Sequence, residues 1–323
     1  MRVLVTGASG FLGRAVAARI AHAGHDVTTL QRRPSGVPGV KDIAGSVTDA
    51  EVVRTAVQGQ DAVVHLAAKV SLAGDPADFA RVNIDGTREL LQAARAMGAY
   101  RFVQVSSPSV AHVGHSLVGV GAEPADPDGA RGEYARTKAT AELLALSFDS
   151  PSLAVLAVRP HIVWGPGDTQ LVARVVDRAR RHRLPLLDKG AALIDSTYID
   201  NAADALAAAL ERAESAHGRA LVVTNGEPRP VADLLSAMCR AAGVPAPSWH
   251  VSGRLARAAG GAVERIWAWR PGQDEPPMTR FLAEQLSTAH WFDQRETREA
   301  LGWKPKVSID EGMALLAQSY RDA

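Results

Sequence analysis

The sequence predicts an α/β protein built on a doubly wound parallel sheet, and three observations carry that prediction. Short, continuously apolar segments alternate with helical stretches through the first half, at residues 3–5, 27–31, 62–66, 102–105 and 153–158. A glycine-rich turn, Gly7-Ala8-Ser9-Gly10-Phe11-Leu12-Gly13, joins the first of these to the first helical stretch. After Pro160 the alternation weakens into a mostly helical remainder. Apolar strands separated by helices mean a parallel sheet covered on both faces.

The elements follow in order. Residues 3–5 form a strand and 11–23 a helix that stops before Gly24. Residues 27–31 form the second strand, and 32–39 a loop by their Pro and Gly content. Asp49 caps a helix running to Val57. Residues 62–66 read as a buried strand, 76–97 as a helix, 102–105 as a strand, 133–146 as a helix and 153–158 as a strand. Residues 220–224 still look like a sheet strand, and Pro-rich joints punctuate the helical second half at 244–247 and 274–277. The expected division is a dinucleotide-binding part over 1–165, with elements from about 195–225 returning to it, and a smaller substrate-side part over 166–323.

Bulk properties narrow the partners. The 323 residues suffice for one large domain or two that share a core. A net charge of +1 implies neither nucleic acid nor an anionic membrane as partner. The lone cysteine, Cys239, excludes a disulfide within the chain and reads as a small buried apolar side chain. The chain starts at once with a strand, so no signal peptide is expected. No apolar run approaches the roughly 20 residues of a membrane span, which makes the cytoplasm the expected location. His65, His112, His115 and His161 lack metal-ligand spacing, so no metal is expected.

The chemistry lies in two motifs. Gly7, Gly10 and Gly13 sit between a strand and a helix N-terminus, where exposed N–H groups and partial positive charge suit a pyrophosphate. The second strand ends Leu30-Gln31-Arg32-Arg33, without the carboxylate that binds the adenosine ribose in NAD sites. Two guanidiniums there suit a 2′-phosphate, so NADP(H) is the expected cofactor. Tyr134 and Lys138, four apart, share one helix face, where an ammonium lowers a phenol's pKa. Tyr134 is the expected proton donor. Lys138 tunes it and holds the nicotinamide ribose. Ser107 polarises the carbonyl, with Ser106 as second choice and otherwise a strand-end serine bonded to backbone. Asn83 lies mid-helix, where Asn is unfavourable, which suggests a bond to active-site backbone. Residues 174–183 read as a solvated basic face. Leu255, Ala259, Ala262, Val263, Ile266 and Trp267 recur at helical spacing, continued by Trp269, Met278, Phe281 and Leu282. They read mostly as core, or else as an apolar pocket or partner surface.

Taken together, the glycine turn, Ser107, Tyr134/Lys138, Val82-Asn83-Ile-Asp-Gly-Thr87 and Arg159-Pro-His-Ile-Val-Trp-Gly-Pro-Gly-Asp168 resemble the extended short-chain dehydrogenase/reductases over nearly the whole chain. The Rossmann-type sheet is therefore expected. A narrower resemblance rests on residues 163–168, Asp195-Ser-Thr-Tyr-Ile-Asp-Asn201, Thr224-Asn-Gly-Glu-Pro228 and Thr279-Arg-Phe-Leu282. These look like the bacterial 2-alkyl-3-oxoalkanoate reductases of long-chain olefin and β-lactone biosynthesis. That resemblance implies NADPH-dependent reduction of a long-chain 2-alkyl-3-keto acid to the 3-hydroxy acid. It also implies an assembly with the pathway's β-lactone synthetase and decarboxylase. A homodimer through the Tyr134 helix and its neighbour is expected by the same analogy. The expected cofactor contacts are Gly7, Ser9, Gly10, Phe11, Leu12, Gly13, Arg32, Arg33, Leu66, Ala67, Ala68, Asn83, Lys138, Pro160, Ile162 and Val163.

Two positions depart from the wider family. Gly45 is followed by Ser46 where an Asp near adenine is usual. Ala111 stands where epimerases carry a Tyr. A 3β-hydroxysteroid-type dehydrogenase remains an alternative, as does a nucleotide-sugar epimerase, though Ala111 weakens the latter. A non-catalytic NADP sensor would need only the glycine turn, not Ser107, Tyr134 and Lys138.

Overall fold

Consecutive residues of a strand point to opposite faces of its sheet, so a strand apolar at every position needs two cores. The first strand, Arg2–Thr6, shows this directly. Val3 and Val5 join one buried cluster, with the helices Phe11–His22 and Ile199–Ala216. Leu4 joins another, with Val53, Leu90, Leu91 and Ala145 from the helices Ala50–Val57, Gly86–Ala96 and Gly132–Ser147. The computed structural model describes residues 1–71, 74–112, 114–268 and 279–322. Its main sheet has seven strands, all parallel, in the order Ala220–Val223, Ala154–Pro160, Arg101–Val105, Ala62–His65, Arg2–Thr6, Asp26–Gln31 and Lys41–Ala44. The doubly wound α/β class is as the sequence predicts.

The chain leaves the first strand toward Asp26–Gln31, then returns to place Ala62–His65 on the other side. The order reverses there, and ligands of such sheets bind outside the carboxyl ends of the strands at such a point. Local signals set the flanking helices. Asp49 caps Ala50–Val57 by accepting the N–H of Glu51 at 3.1 Å and of Val52 at 3.3 Å. Cys239 is buried in the helix Val231–Ala241. The basic residues of helix Val172–Arg180 lie on its outer side, while Val172, Val175, Val176 and Ala179 are buried.

Two expectations change, and the mostly helical second half gains a small sheet. The stretch 76–97 is not one regular helix: Pro76–Ala80 and Gly86–Ala96 flank a π turn, Arg81–Asp85. Such turns are rare and gather at functional sites. The second half is not only helical. A small mixed sheet joins Arg229–Pro230, Leu193–Ile194 and His290–Phe292 to Leu117–Val120, a strand from the first half. The helix Gly253–Ala268 does not bury its large apolar residues in the core. Leu255 is 67% and Ile266 56% exposed, whereas Gly253, Ala256 and Gly260 are buried. A Cβ on Gly260 would lie 2.6 Å from the backbone N of Arg280, so the small residues form the face that meets helix Arg280–Ser287. Trp269 and Met278 lie outside the described residues. No helix among the described residues is long and apolar enough to cross a membrane.

Candidate active site

The glycine turn fits a dinucleotide for steric reasons. Gly7 has φ +76°, and a Cβ there would lie 2.8 Å from the backbone N of Ala67. A Cβ on Gly13 would meet the Gly7 carbonyl oxygen at 2.2 Å. Gly10 begins the helix Phe11–His22, which has no side-chain cap and no acidic residue in its first turn. Its N-terminal amides and positive dipole end are therefore left for an anion. Ser9, Phe11 and Leu12 belong to the same turn, and Leu66, Ala67 and Ala68 follow the adjacent strand.

A buried hydrogen-bond chain joins these two strand ends to the π turn. Thr6 Oγ1 accepts the N–H of Leu66 at 3.2 Å and of Ala67 at 3.1 Å, and lies 2.7 Å from His65 Nδ1. His65 Nε2 lies 3.0 Å from Thr87 Oγ1, whose proton goes to the Asn83 carbonyl. Thr87 can then only accept from His65, so Nε2 carries the ring proton and Nδ1 accepts from Thr6. Burial, and then the charge on Lys138, pulls His65 down to about 3 and keeps it neutral.

Asn83 is buried in the π turn. Its Oδ1 accepts the Lys69 N–H at 2.7 Å, and its Nδ2 donates to the Lys69 carbonyl at 3.2 Å and to Thr137 Oγ1 at 3.0 Å. With both amide protons and the oxygen engaged, Asn83 braces the loop after Ala62–His65 against the Tyr134 helix. The bond to active-site backbone suggested by its mid-helix position is present.

The candidate reacting groups converge from two elements. Arg101–Val105 delivers Ser106 and Ser107 at its carboxyl end, and Gly132–Ser147 carries Tyr134 and Lys138. Ser107 is part-exposed and hydrogen-bonds the Tyr134 hydroxyl. Its Oγ accepts the Ser109 N–H at 3.3 Å and the Ser109 hydroxyl at 3.0 Å. With two lone pairs filled by Ser109, Ser107 is left as a donor, and the Tyr134 oxygen is its acceptor. Ser106 is buried and its hydroxyl has no partner among the described residues, in contrast to the backbone bond expected of it.

Lys138 is buried, and its Nζ donates to the Val105 carbonyl at 2.5 Å. Burial pulls its amine down to about 8, against the upward pull of Glu142. For Tyr134 the sequence expectation of a lowered pKa is not met. Burial pushes the phenol up, and the Ser107 hydrogen bond is what opposes it. A phenol that keeps its proton at neutral pH suits a proton donor.

Two further sets are located. Arg32 and Arg33 are exposed just past Asp26–Gln31. Asp42 is the nearby carboxylate, on the neighbouring strand, but its oxygens accept from Thr29 at 2.5 Å, Gln31 at 3.2 Å and the Ser35 N–H at 3.0 Å. Pro160 ends its strand, and Ile162 follows at φ +42°, strained for a β-branched residue. Thr197 holds this loop by donating to the His161 carbonyl at 2.7 Å, and its N–H reaches the Ile162 carbonyl at 3.1 Å.

Residues 3–224 match the model of the NAD dependent epimerase/dehydratase family. The chain belongs to that family. A 2-alkyl-3-oxoalkanoate reductase of Stenotrophomonas maltophilia is 40% identical over 99% of both chains. A reductase of the same name from Shewanella oneidensis is 36% identical, over 98% of this chain and 85% of its own. In fold, MoeE5 in complex with UDP-glucuronic acid and NAD superposes with a TM-score of 0.74 at 24% identity, over 100% of this chain and 99% of that one. Within the epimerase/dehydratase family this chain is an oxidoreductase acting on a ketone/alcohol pair. Sequence reasoning missed Thr6, Thr87, Ser109 and Thr137, which hold the motif residues in place. No local pattern marks them, because their partners are distant in the chain or depend on a turn's exact path.

Proposed function

We propose that the chain reduces the 3-keto group of a long-chain 2-alkyl-3-oxoalkanoic acid with NADPH, giving the 2-alkyl-3-hydroxyalkanoic acid of an olefin or β-lactone pathway. The observation that carries this reading is the 40% identity, over 99% of both chains, to a reductase named for that substrate. The site supports it. The cradle of Gly7, Gly10 and Gly13 with the uncapped helix end would hold the pyrophosphate. Arg32 and Arg33 would hold the 2′-phosphate, Lys138 the nicotinamide ribose, and Leu66, Ala67, Ala68, Pro160, Ile162 and Val163 would line the rest. When bound, the nicotinamide supplies the hydride. The chain's own groups handle the oxygen. Ser107 donates a hydrogen bond to the carbonyl, and Tyr134 gives its proton to the oxygen as the C3 alcohol forms. Ser107 then stabilises the phenolate that remains.

The same reading takes 1–165 as the cofactor-binding part and 166–323 as the substrate-binding part, in a cytoplasmic homodimer that works beside a β-lactone synthetase and decarboxylase. The test runs in reverse. A racemic long-chain 2-alkyl-3-hydroxyalkanoic acid is incubated with NADP⁺ or NAD⁺, and both reduced nicotinamide and the ketone left by decarboxylation are measured. Turnover with NADP⁺ supports the reading. No turnover, from protein that binds NADPH, rejects it and directs the search to hydroxysteroids and sugar nucleotides.

A further inference from the structure

Behind the reacting groups the same helix face continues. Tyr134, Lys138 and Glu142 are spaced by four residues along Gly132–Ser147, so they stack on one side. Glu142 is 1% exposed and accepts two bonds from Arg159, Nε at 2.8 Å and Nη2 at 2.5 Å. Arg159 is itself 1% exposed, stands in the strand Ala154–Pro160, and donates its Nη1 to the Glu123 carbonyl at 2.7 Å. A fork-to-fork pair this deep is costly to desolvate, and apolar side chains of similar size would hold the fold as well. Something other than stability accounts for charges at that position.

We propose that Glu142, locked in place by Arg159, is a positioning residue for Lys138 in the reduction described above. The pair fixes the helix to the strand next to the one that ends in Ser107, so that Lys138 reaches the Val105 carbonyl at 2.5 Å. It also sets a permanent negative charge one turn behind the ammonium. Lys138 otherwise stands in a dry site that favours the neutral amine. Of the other groups facing it, Tyr134 and His65 from the strand Ala62–His65 are both uncharged at neutral pH. Arg159, from its own strand, is cationic and paired with the Glu142 carboxylate. Among the described residues Glu142 is therefore the charged side chain that favours the ammonium, beside the Val105 carbonyl that accepts from it.

The test titrates Lys138 directly on the full-length protein, without substrate, from the pH dependence of its acetylation by acetic anhydride read by mass spectrometry. In Glu142→Gln the midpoint should fall by about one pH unit, the size expected when a neighbouring opposite charge is removed. Glu142→Asp should recover most of that shift. Glu142→Gln leaves Arg159 buried without a counterion, so the double variant Glu142→Gln/Arg159→Met, which removes both charges and keeps the volume, is compared with it and should show a smaller fall in the same direction, because the more distant cation is lost too. A wild-type midpoint in the double variant would overturn the proposal. A double variant that does not fold would assign the pair to the fold and overturn it equally. Wild-type turnover of the keto acid is assayed separately, so failure of the substrate reading and failure of the lysine reading give different results.

Discussion

His161 Nε2 lies 2.8 Å from His290 Nδ1, with both rings buried, and this contact joins the loop after Ala154–Pro160 to the small second sheet. His290 Nε2 lies 2.7 Å from the Gln285 carbonyl, which can only accept. The proton of His290 is therefore on Nε2, its Nδ1 accepts, and His161 donates. His290 must be neutral for this arrangement, because its Nδ1 accepts. Burial pulls His290 down to about 4, against the upward pull of its bond to the Gln285 carbonyl, and burial followed by the neighbouring His290 and His112 pulls His161 well below its ordinary value.

A depressed histidine pKa means that the unfolded chain binds more protons, so stability falls as pH drops from about 6.5 toward the folded values. His290 alone would lose about 2 kcal/mol between pH 7 and pH 5. His161 and His65 add to the same slope. Asp195 opposes it, because burial raises its carboxyl to about 6, but it is one group against several. Urea unfolding should show a marked loss of stability at pH 5, and His290→Gln should flatten the slope. A stability that stays level from pH 8 to pH 5 would contradict the neutral pair.

That contact also shows what a sequence can and cannot reveal. Residues 161 and 290 are 129 apart, and nothing local to either predicts that they meet. Likewise Glu142 looks like an ordinary helix residue until Arg159 is seen beside it. Tyr134, Lys138 and the glycine turn were legible because helix periodicity or backbone sterics ties each to its chemistry within a few residues. Six of the seven strands of the main sheet were legible as short, largely apolar runs, but the edge strand Lys41–Ala44 was not, since Lys41 and Asp42 are exposed and leave no apolar run to read. The second sheet was not, since Leu193–Ile194 and Arg229–Pro230 are two residues long and leave no period to read. The helix Gly253–Ala268 shows the remaining limit. Its spacing defines an apolar face but does not say whether that face meets the core, and it is the glycine and alanine side that packs.

Ser109 should matter to catalysis although it touches Ser107 and not the reacting carbonyl. Its two bonds to Ser107 Oγ leave that hydroxyl only one role, as donor. Ser107→Ala should lower kcat by roughly 10²–10³-fold, as loss of one oxyanion donor does. Ser109→Ala should lower it by roughly tenfold, close to the worth of one ordinary hydrogen bond. Tyr134→Phe should abolish turnover and leave NADPH binding intact. Stopped-flow turnover beside a fluorescence titration of NADPH separates the three. Equal effects from Ser109→Ala and Ser107→Ala would mean that Ser109 acts on the substrate itself.

Two glycines of similar backbone conformation should respond differently to alanine. Gly7 at φ +76° has the Ala67 backbone N 2.8 Å from where a Cβ would stand, whereas Gly24 at φ +89° has nothing within 4 Å. Gly24→Ala should cost about 1 kcal/mol of stability from the left-handed backbone alone, with no effect on NADPH affinity. Gly7→Ala adds a backbone clash that would push the loop after Ala62–His65 out of place. It should weaken NADPH binding at least tenfold and lower Tm further. Thermal unfolding and NADPH titration of both variants provide the check, and matching affinities in the two would remove the steric role assigned to Gly7.

Arg32 offers the sharpest test of cofactor preference. It is exposed immediately after the strand that ends at Gln31, and the nearby Asp42 is held by Thr29, Gln31 and Ser35. In the proposed reading, a ribose carrying a 2′-phosphate would meet guanidinium, not carboxylate, at this edge. In Arg32→Asp a carboxylate would face the phosphate and repel it, while the free 2′-hydroxyl of NADH gains an acceptor. The ratio of kcat/KM for NADPH over NADH should fall at least 100-fold, roughly the loss of one charge-assisted bond together with a new like-charge contact. Arg33→Asp should give a smaller change if Arg32 makes the closer bond. Added salt should weaken NADPH binding in the wild type more than NADH binding, because screening acts on the extra phosphate. An unchanged preference in Arg32→Asp would mean that the loop guanidiniums are only solvated, and the choice between the two cofactors would then have to be made elsewhere in the site.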